Sequence, residues 1–153
     1  MYCPSSYMLA SGVGKDQFQL VSFDKALLSS KIADYNLVKV SSILPPHCKK
    51  EDMITVKKGS ILFTAYSSIS SCKSGIISAA IGVGIPQSTD EVGVIMEFSC
   101  MDREDISVHQ VREMIQTSME LRKIKIREIK TASAEAVVSD GVFSTVVAAL
   151  GMW

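Results

Sequence analysis

Few residues in this chain have the types and spacing that chemistry needs. It holds two histidines, His47 and His109, and four cysteines at positions 3, 48, 72 and 100. His47 follows Pro45-Pro46 and adjoins Cys48, while His109 falls mid-helix, and a Cys–His pair or Ser–His–Asp triad on either lacks supporting partners. A solvated or packed histidine is the commoner outcome. The cysteines have no Cys-x-x-Cys spacing, which argues against a zinc ribbon or a redox pair, so reduced thiols and no metal are expected. Gly12-Val13-Gly14-Lys15 imitates a phosphate loop only superficially, because Asp16 stands where Ser or Thr is required and Leu9 where the first glycine belongs. A tight turn is the better reading. Gly82-Val83-Gly84 lies inside a β run, where glycine more often permits close approach than nucleotide binding. Serine remains. Ser-Ser pairs begin at 5, 29, 41, 67 and 70, so the pair alone diagnoses nothing. Ser41-Ser42 stands apart by context: an apolar strand precedes it and Ile43-Leu44-Pro45-Pro46 follows, placing a serine peptide bond at a sharp turn where strain can be held.

The elements around these residues follow from periodicity. Tyr7 to Ala10 reads as a short strand closed by a turn at Ser11 to Gly14, and Phe23 to Ala33 as a helix with Ser22 as its cap. Asn36 to Val40 has β spacing, and the double proline stops a central strand beyond Leu44. Ser60 to Ser70, Gly75 to Ile85 and Val92 to Phe98 are further β runs. Asp102 is placed to cap the clearest helix, with Glu104 and Asp105 in its first turn and Val108, Val111, Ile115, Met119 and Arg122 along one stripe. A long strand from Ile124 to Ala136, with a bulge near Glu128-Ile129, and a last strand from Gly141 to Leu150 complete the chain. Lys49-Lys50-Glu51-Asp52 reads as a solvated loop. Two helices among about six strands, without a βαβ rhythm, predict a layered α+β sandwich with mostly antiparallel or mixed sheets.

Composition sets the outer limits. At 153 residues the chain is one domain long, and 1–153 is read as a single unit. Sixteen Lys plus Arg balance sixteen Asp plus Glu, so there is no overall cationic field to draw nucleic acid or anionic lipid. Hydrophobic residues reach 47% against 21% charged, which excludes disorder and is apolar enough to suggest surface buried between subunits. The longest membrane-like stretch, 76–85, is far short of the ~20 residues a span needs, and the N-terminus lacks a basic region followed by an apolar core. A cytoplasmic protein with no membrane partner is expected.

Asn36-Leu37-Val38-Lys39-Val40-Ser41-Ser42-Ile43-Leu44-Pro45-Pro46 closely resembles the self-cleavage region of the pyruvoyl-dependent arginine decarboxylases. Phe23-Asp24-Lys25-Ala26-Leu27-Leu28 resembles that family's preceding helix, and Ile77 to Pro86 its glycine- and alanine-rich strand. Val94-Ile95-Met96-Glu97 and Val111-Arg112-Glu113-Met114 also fit, in the family's order, from about residue 7 to the C-terminus. The resemblance implies a four-layer αββα sandwich, assembled as trimers that can pair into hexamers, with sites at subunit interfaces.

It also implies roles. Ser42 Oγ attacks the Ser41 carbonyl, the resulting ester eliminates, and the chain divides into 1–41 and 42–153 with an N-terminal pyruvoyl group made from Ser42. That carbonyl is the electron sink that decarboxylation of L-arginine to agmatine needs and no ordinary side chain supplies. Glu97 is expected to protonate the carbon that loses CO2, or else to be a buried structural acid paired with a Lys or Arg. Asn36 is expected to donate to the oxyanion at Ser41, or to satisfy nearby backbone at a strand start. Asp24 is expected to take the guanidinium, or to be a first-turn helix acid. Rival readings are an unprocessed, non-catalytic trimeric binding module of the same fold, a decarboxylase for another basic amino acid, and a small hydrolase or nucleotide-binding enzyme using Cys or His.

Overall fold

The computed structural model describes residues 2–153, in which two β-sheets stack face to face and each carries one helix on its outer side. In chain order the elements are β1 (Ser6–Asp16), α1 (Gln19–Ser29), β2 (Asn36–Lys39), β3 (Ile43–Leu44), β4 (Lys49–Lys50), β5 (Ile61–Ser71), β6 (Gly75–Pro86), β7 (Gly93–Cys100), α2 (Glu104–Leu121), β8 (Ile126–Val138) and β9 (Phe143–Met152). The first sheet runs β2-β5-β9-β1-β4 and is mixed, since β2–β5 and β1–β4 pair in parallel. The second runs β3-β7-β6-β8 and is antiparallel throughout.

Three apolar layers hold this four-layer αββα sandwich together. Between the sheets lie Tyr7, Ile77, Ile81, Val83, Ile95, Val146, Ala148 and Leu150. Met8, Ala26, Ile32, Leu62, Val147, Ala149 and Trp153 bury α1 on the first sheet, and Val94, Val111, Ile115 and Met119 bury α2 on the second. β6 and β9 are covered on both faces, which is why they read as nearly continuous apolar runs rather than as alternating strands.

Several local expectations give way to packing. β1 does not turn at Ser11 to Gly14 but continues to Asp16, and its glycines admit α1: a Cβ at Gly14 would stand 2.1 Å from the Ser22 carbonyl oxygen. Gly82 serves α2 the same way, with a Cβ there 2.7 Å from Val111 Cγ1. α1 begins earlier than expected, so Ser22 is not its cap but a buried residue whose Oγ donates to the Gln19 carbonyl and lies 2.6 Å from Thr145 Oγ1. The chain turns into α1 because Asp16 accepts the Phe18 N–H and pairs with Lys25 at 2.6 Å. In α2 the cap position belongs to Arg103; Asp102 takes the Arg103 N–H, and the first helical N–H, that of Glu104, is met by the Glu135 carboxylate from β8 at 2.8 Å. Lys49 and Lys50 are not a loop but a two-residue edge strand beside Ser6 and Tyr7, with both side chains exposed. The bulge in β8 falls at Arg127, where pairing with Ile85 and Pro86 skips a residue, because Pro86 has no N–H to continue the ladder.

Candidate active site

The Ser41–Ser42 peptide bond is the crossing between the two sheets. β2 is the edge strand of the first sheet and β3 the edge strand of the second, so Val40, Ser41 and Ser42 must bridge the gap at their shared side. Both ends of the bridge are tied: the Val40 N–H donates to the Thr64 carbonyl on β5 at 3.3 Å, and the Ile95 N–H on β7 donates to the Ser42 carbonyl at 2.9 Å. Held this way, Ser42 adopts φ of 67°, the left-handed region that costs a non-glycine residue roughly 1–2 kcal/mol. Lys31 and Lys123 share that conformation just past the ends of α1 and α2, where helices commonly finish so. Ser42 has no helix to finish.

Glu97 lies against Ser42 from β7. Its neighbours alternate across the strand: Met96 and Phe98 pack toward α2, while Ile95 points into the layer between the sheets. Glu97 shares the Ile95 face, at the open side of that layer, where Ser42 Oγ donates to its Oε2 at 3.2 Å. Its other oxygen, Oε1, lies 3.9 Å from the Lys39 ammonium, which also sits 5.0 Å from the centre of the Tyr66 ring. The acid thus reaches both sides of the Ser41–Ser42 peptide bond: Lys39 precedes that bond in sequence and Ser42 follows it.

A pocket of about 260 Å³ opens beside the crossing, lined by Ser41 and Ser42 and by Tyr2, Val40, Phe63 and Met152 among apolar neighbours. Its serine hydroxyls are set against an otherwise greasy wall. That suits a small substrate with an aliphatic chain.

The family model described as pyruvoyl-dependent arginine decarboxylase matches residues 6–153. The chain is 34% identical over 151 residues to the protein of that name from Methanococcus vannielii, covering 98% of this chain and 91% of the relative. It is 34% identical over 140 residues to the Pyrococcus furiosus protein, covering 90% and 88%, and 33% identical over 157 residues to that of Methanopyrus kandleri, covering 100% and 99%. Both carry the same name. The chain belongs to the pyruvoyl-dependent arginine decarboxylase family.

With the family in hand, the four residues singled out in the sequence divide into two groups. Ser42 and Glu97, 55 positions apart, meet directly. Asn36 and Asp24 do not join them within one subunit. Asn36 is exposed, its side-chain N–H donating to the Gly59 carbonyl at 2.8 Å, and it lies five residues before Ser41, about 16 Å at ~3.3 Å per strand residue. Asp24 faces solvent on α1, which packs on the outer face of the first sheet, and it does not line the Ser42 pocket. Since α1 starts at Gln19 with no acid in its first turn, Asp24 is not there to balance the helix dipole.

The residues of the rival hydrolase are scattered. His47 pairs with Asp90 on the surface and His109 with Glu113 along α2. Burial pushes the Cys48 thiol up to about 11, with Cys3 adding to the rise, the reverse of an activated nucleophile. No group of three metal-ligating side chains occurs among the described residues. Lys39 and Tyr2 escaped the sequence reading, the first being one of sixteen cations and the second lying outside any periodic segment.

Proposed function

We propose that this chain cuts itself between Ser41 and Ser42 and decarboxylates L-arginine to agmatine and CO2. The observation that carries the reading is the Ser42 hydroxyl, held at a strained crossing between two sheets and hydrogen-bonded to Glu97. In self-cleavage, Ser42 Oγ adds to the Ser41 carbonyl carbon and the peptide C–N bond breaks, so that Ser41 becomes an ester of residue 42. Loss of the α-proton and of the Ser41 carboxylate leaves dehydroalanine, and water replaces its nitrogen, releasing ammonia. Cutting removes the need for residue 42 to hold a left-handed backbone, which favours the forward direction.

The pyruvoyl group so formed supplies the carbonyl that accepts the electron pair left by CO2. The surroundings of residue 42 fit such a group: a carboxyl on one side, an apolar pocket on the other, and room for one amino acid. Glu97 delivers a proton to the α-carbon after CO2 has left, from a position already within hydrogen-bond reach of residue 42. Lys39 contacts its second oxygen and restrains its rotation. Asp24 takes the guanidinium across a subunit interface, as a two-oxygen acceptor matched to the arginine fork. Asn36 likewise acts on a neighbouring subunit, its amide donating to the oxyanion that forms at Ser41. The acting unit is a single domain over 1–153, trimeric and capable of pairing into hexamers, in the cytoplasm. None of the described helices is long and apolar enough to cross a membrane.

Intact-mass measurement of purified protein tests the reading. Two chains, 1–41 and 42–153, are expected, the second bearing a carbonyl that hydroxylamine traps. Ser42→Ala should remain one chain of 16.6 kDa without activity. Arginine turnover by wild-type protein found to be a single uncut chain would overturn it.

A further inference from the structure

Recognition of an arginine side chain requires more than an acid, because a carboxylate attracts lysine and ornithine as well. The pocket beside Ser41–Ser42 carries a second feature suited to a guanidinium. Tyr2 lies against Phe63 with ring centres 5.6 Å apart and planes inclined by 30°, and both rings line the pocket together with the two serines. Phe63 is fixed in the middle of the first sheet, opposite Val38 on one side and Met152 on the other. Tyr2 is 64% exposed, yet its segment is anchored: the Ser5 and Ser6 N–H groups both donate to the Trp153 carbonyl, at 2.9 and 3.0 Å, and Trp153 is buried. An exposed aromatic held over a second ring, at the mouth of an apolar pocket, leaves a ring face directed to solvent or to an occupant.

The geometry points to Tyr2, backed by Phe63, as the wall on which the substrate's guanidinium stacks, which makes Tyr2 a specificity-determining residue for arginine over lysine and ornithine. The inference rests on the decarboxylase reading above and extends it. A pocket of about 260 Å³ is below the ~300 Å³ at which drug-sized ligand sites begin, and so fits one amino-acid side chain. The methylenes of the substrate would run past Val40 and Met152, away from water. A guanidinium is planar and weakly hydrated, so it gives up little on lying flat against a ring; an ammonium is a compact, strongly hydrated point charge and gains less. Aromatic stacking thus discriminates where a carboxylate alone does not. It also places the selecting residue on the N-terminal segment, at the mouth of the pocket that Ser41 and Ser42 line.

The experiment is a selectivity ratio on processed enzyme. For wild type, Tyr2→Phe and Tyr2→Ala, kcat/KM is measured with arginine and with ornithine, each normalised to the carbonyl content found by hydroxylamine trapping and mass. Tyr2→Phe should keep the wild-type ratio, since the ring remains. Tyr2→Ala should lower the arginine-to-ornithine ratio roughly five- to thirtyfold, the loss of one partly desolvated cation–ring contact. An unchanged ratio in Tyr2→Ala overturns the inference, as does a Tyr2→Ala chain that forms no carbonyl, because Tyr2 would then serve cleavage rather than selection. Failure of the wild-type protein itself to form a carbonyl or to turn over arginine would instead strike the decarboxylase reading.

Discussion

Ser42 and Glu97 touch in the structure, and the roles proposed for them can be separated by substitution. Glu97→Gln keeps the shape of the side chain and loses its transferable proton. Self-cleavage should still occur, while agmatine formation slows by roughly 10²- to 10⁴-fold, the usual worth of a positioned acid. A structural acid would fail differently, with Glu97→Gln unfolding or failing to assemble, and wild-type turnover in a processed variant would remove Glu97 from the reaction. Asp24→Asn should process normally and lose roughly 10- to 150-fold in kcat/KM for arginine, about 1.5–3 kcal/mol for a charged hydrogen bond. Arginine kinetics equal to wild type would return Asp24 to the surface. A third residue reports on the core. Burial pushes the Tyr7 hydroxyl up to about 12, with Glu128 and Cys48 adding to the rise. Above pH 10 the unfolded phenol ionises while the folded one keeps its proton, so this group draws the chain toward unfolding as pH rises from 10 through about 12. Tyr7→Phe should therefore lose less stability than wild type over that window in a urea titration, and equal losses would show that Tyr7 does not govern the alkaline limb.

At the scale of elements, the site exists because a short edge strand ends in one sheet and the next begins in the other. β2 and β3 together contain only six residues, yet they fix where the chain must cross and so which residue, Ser42, takes the left-handed backbone. Their position depends in turn on how tightly the helices sit on the sheets. Gly14 has no space for a side chain, with the Ser22 carbonyl 2.1 Å and the Ala26 nitrogen 2.5 Å from where a Cβ would be. Both atoms are helix backbone and cannot swing aside. Gly14→Ala should lift α1 from the sheet and destabilise the fold by about 1–3 kcal/mol, the common cost of overpacking. Thermal melting of this variant would show it as a lowered midpoint; an unchanged midpoint would mean that α1 floats freely over β1.

At the scale of the whole molecule, one subunit brings together half of the expected site. Ser42 and Glu97 meet at the sheet edges, whereas Asp24 and Asn36 face outward elsewhere. In the proposed assembly, an interface would carry Asp24 of one subunit to the Ser42 pocket of another and so reconcile the two groups. Sedimentation should then give a mass three times that of the chain, or six. Mixing tests the same point more sharply: Ser42→Ala and Asp24→Asn chains, each nearly inactive alone, should recover part of the activity when refolded together, because mixed trimers contain sites with both native residues. Continued inactivity in mixtures shown to contain hybrid trimers would place both residues in the same subunit's site.

The sequence by itself determined the inventory of candidate residues, and the chemistry followed from its resemblance to the family. Local pattern reached Ser41-Ser42 because a strand, two serines and a double proline in a row constrain the backbone wherever the rest of the chain lies. It also marked the stripe of α2 and the bulge near Glu128, both set by the spacing of neighbouring residues. Only tertiary structure decided what depends on distant partners. Gly12 and Gly14 look like a turn until α1 is seen on top of them, and Glu104 looks like the first turn of a self-capped helix until Glu135 meets its N–H. The contact of Ser42 with Glu97, the approach of Lys39, and the pairing of Tyr2 with Phe63 each join residues from separate elements. Local spacing carries no trace of them, because the energy that holds each pair is that of packing two sheets against one another.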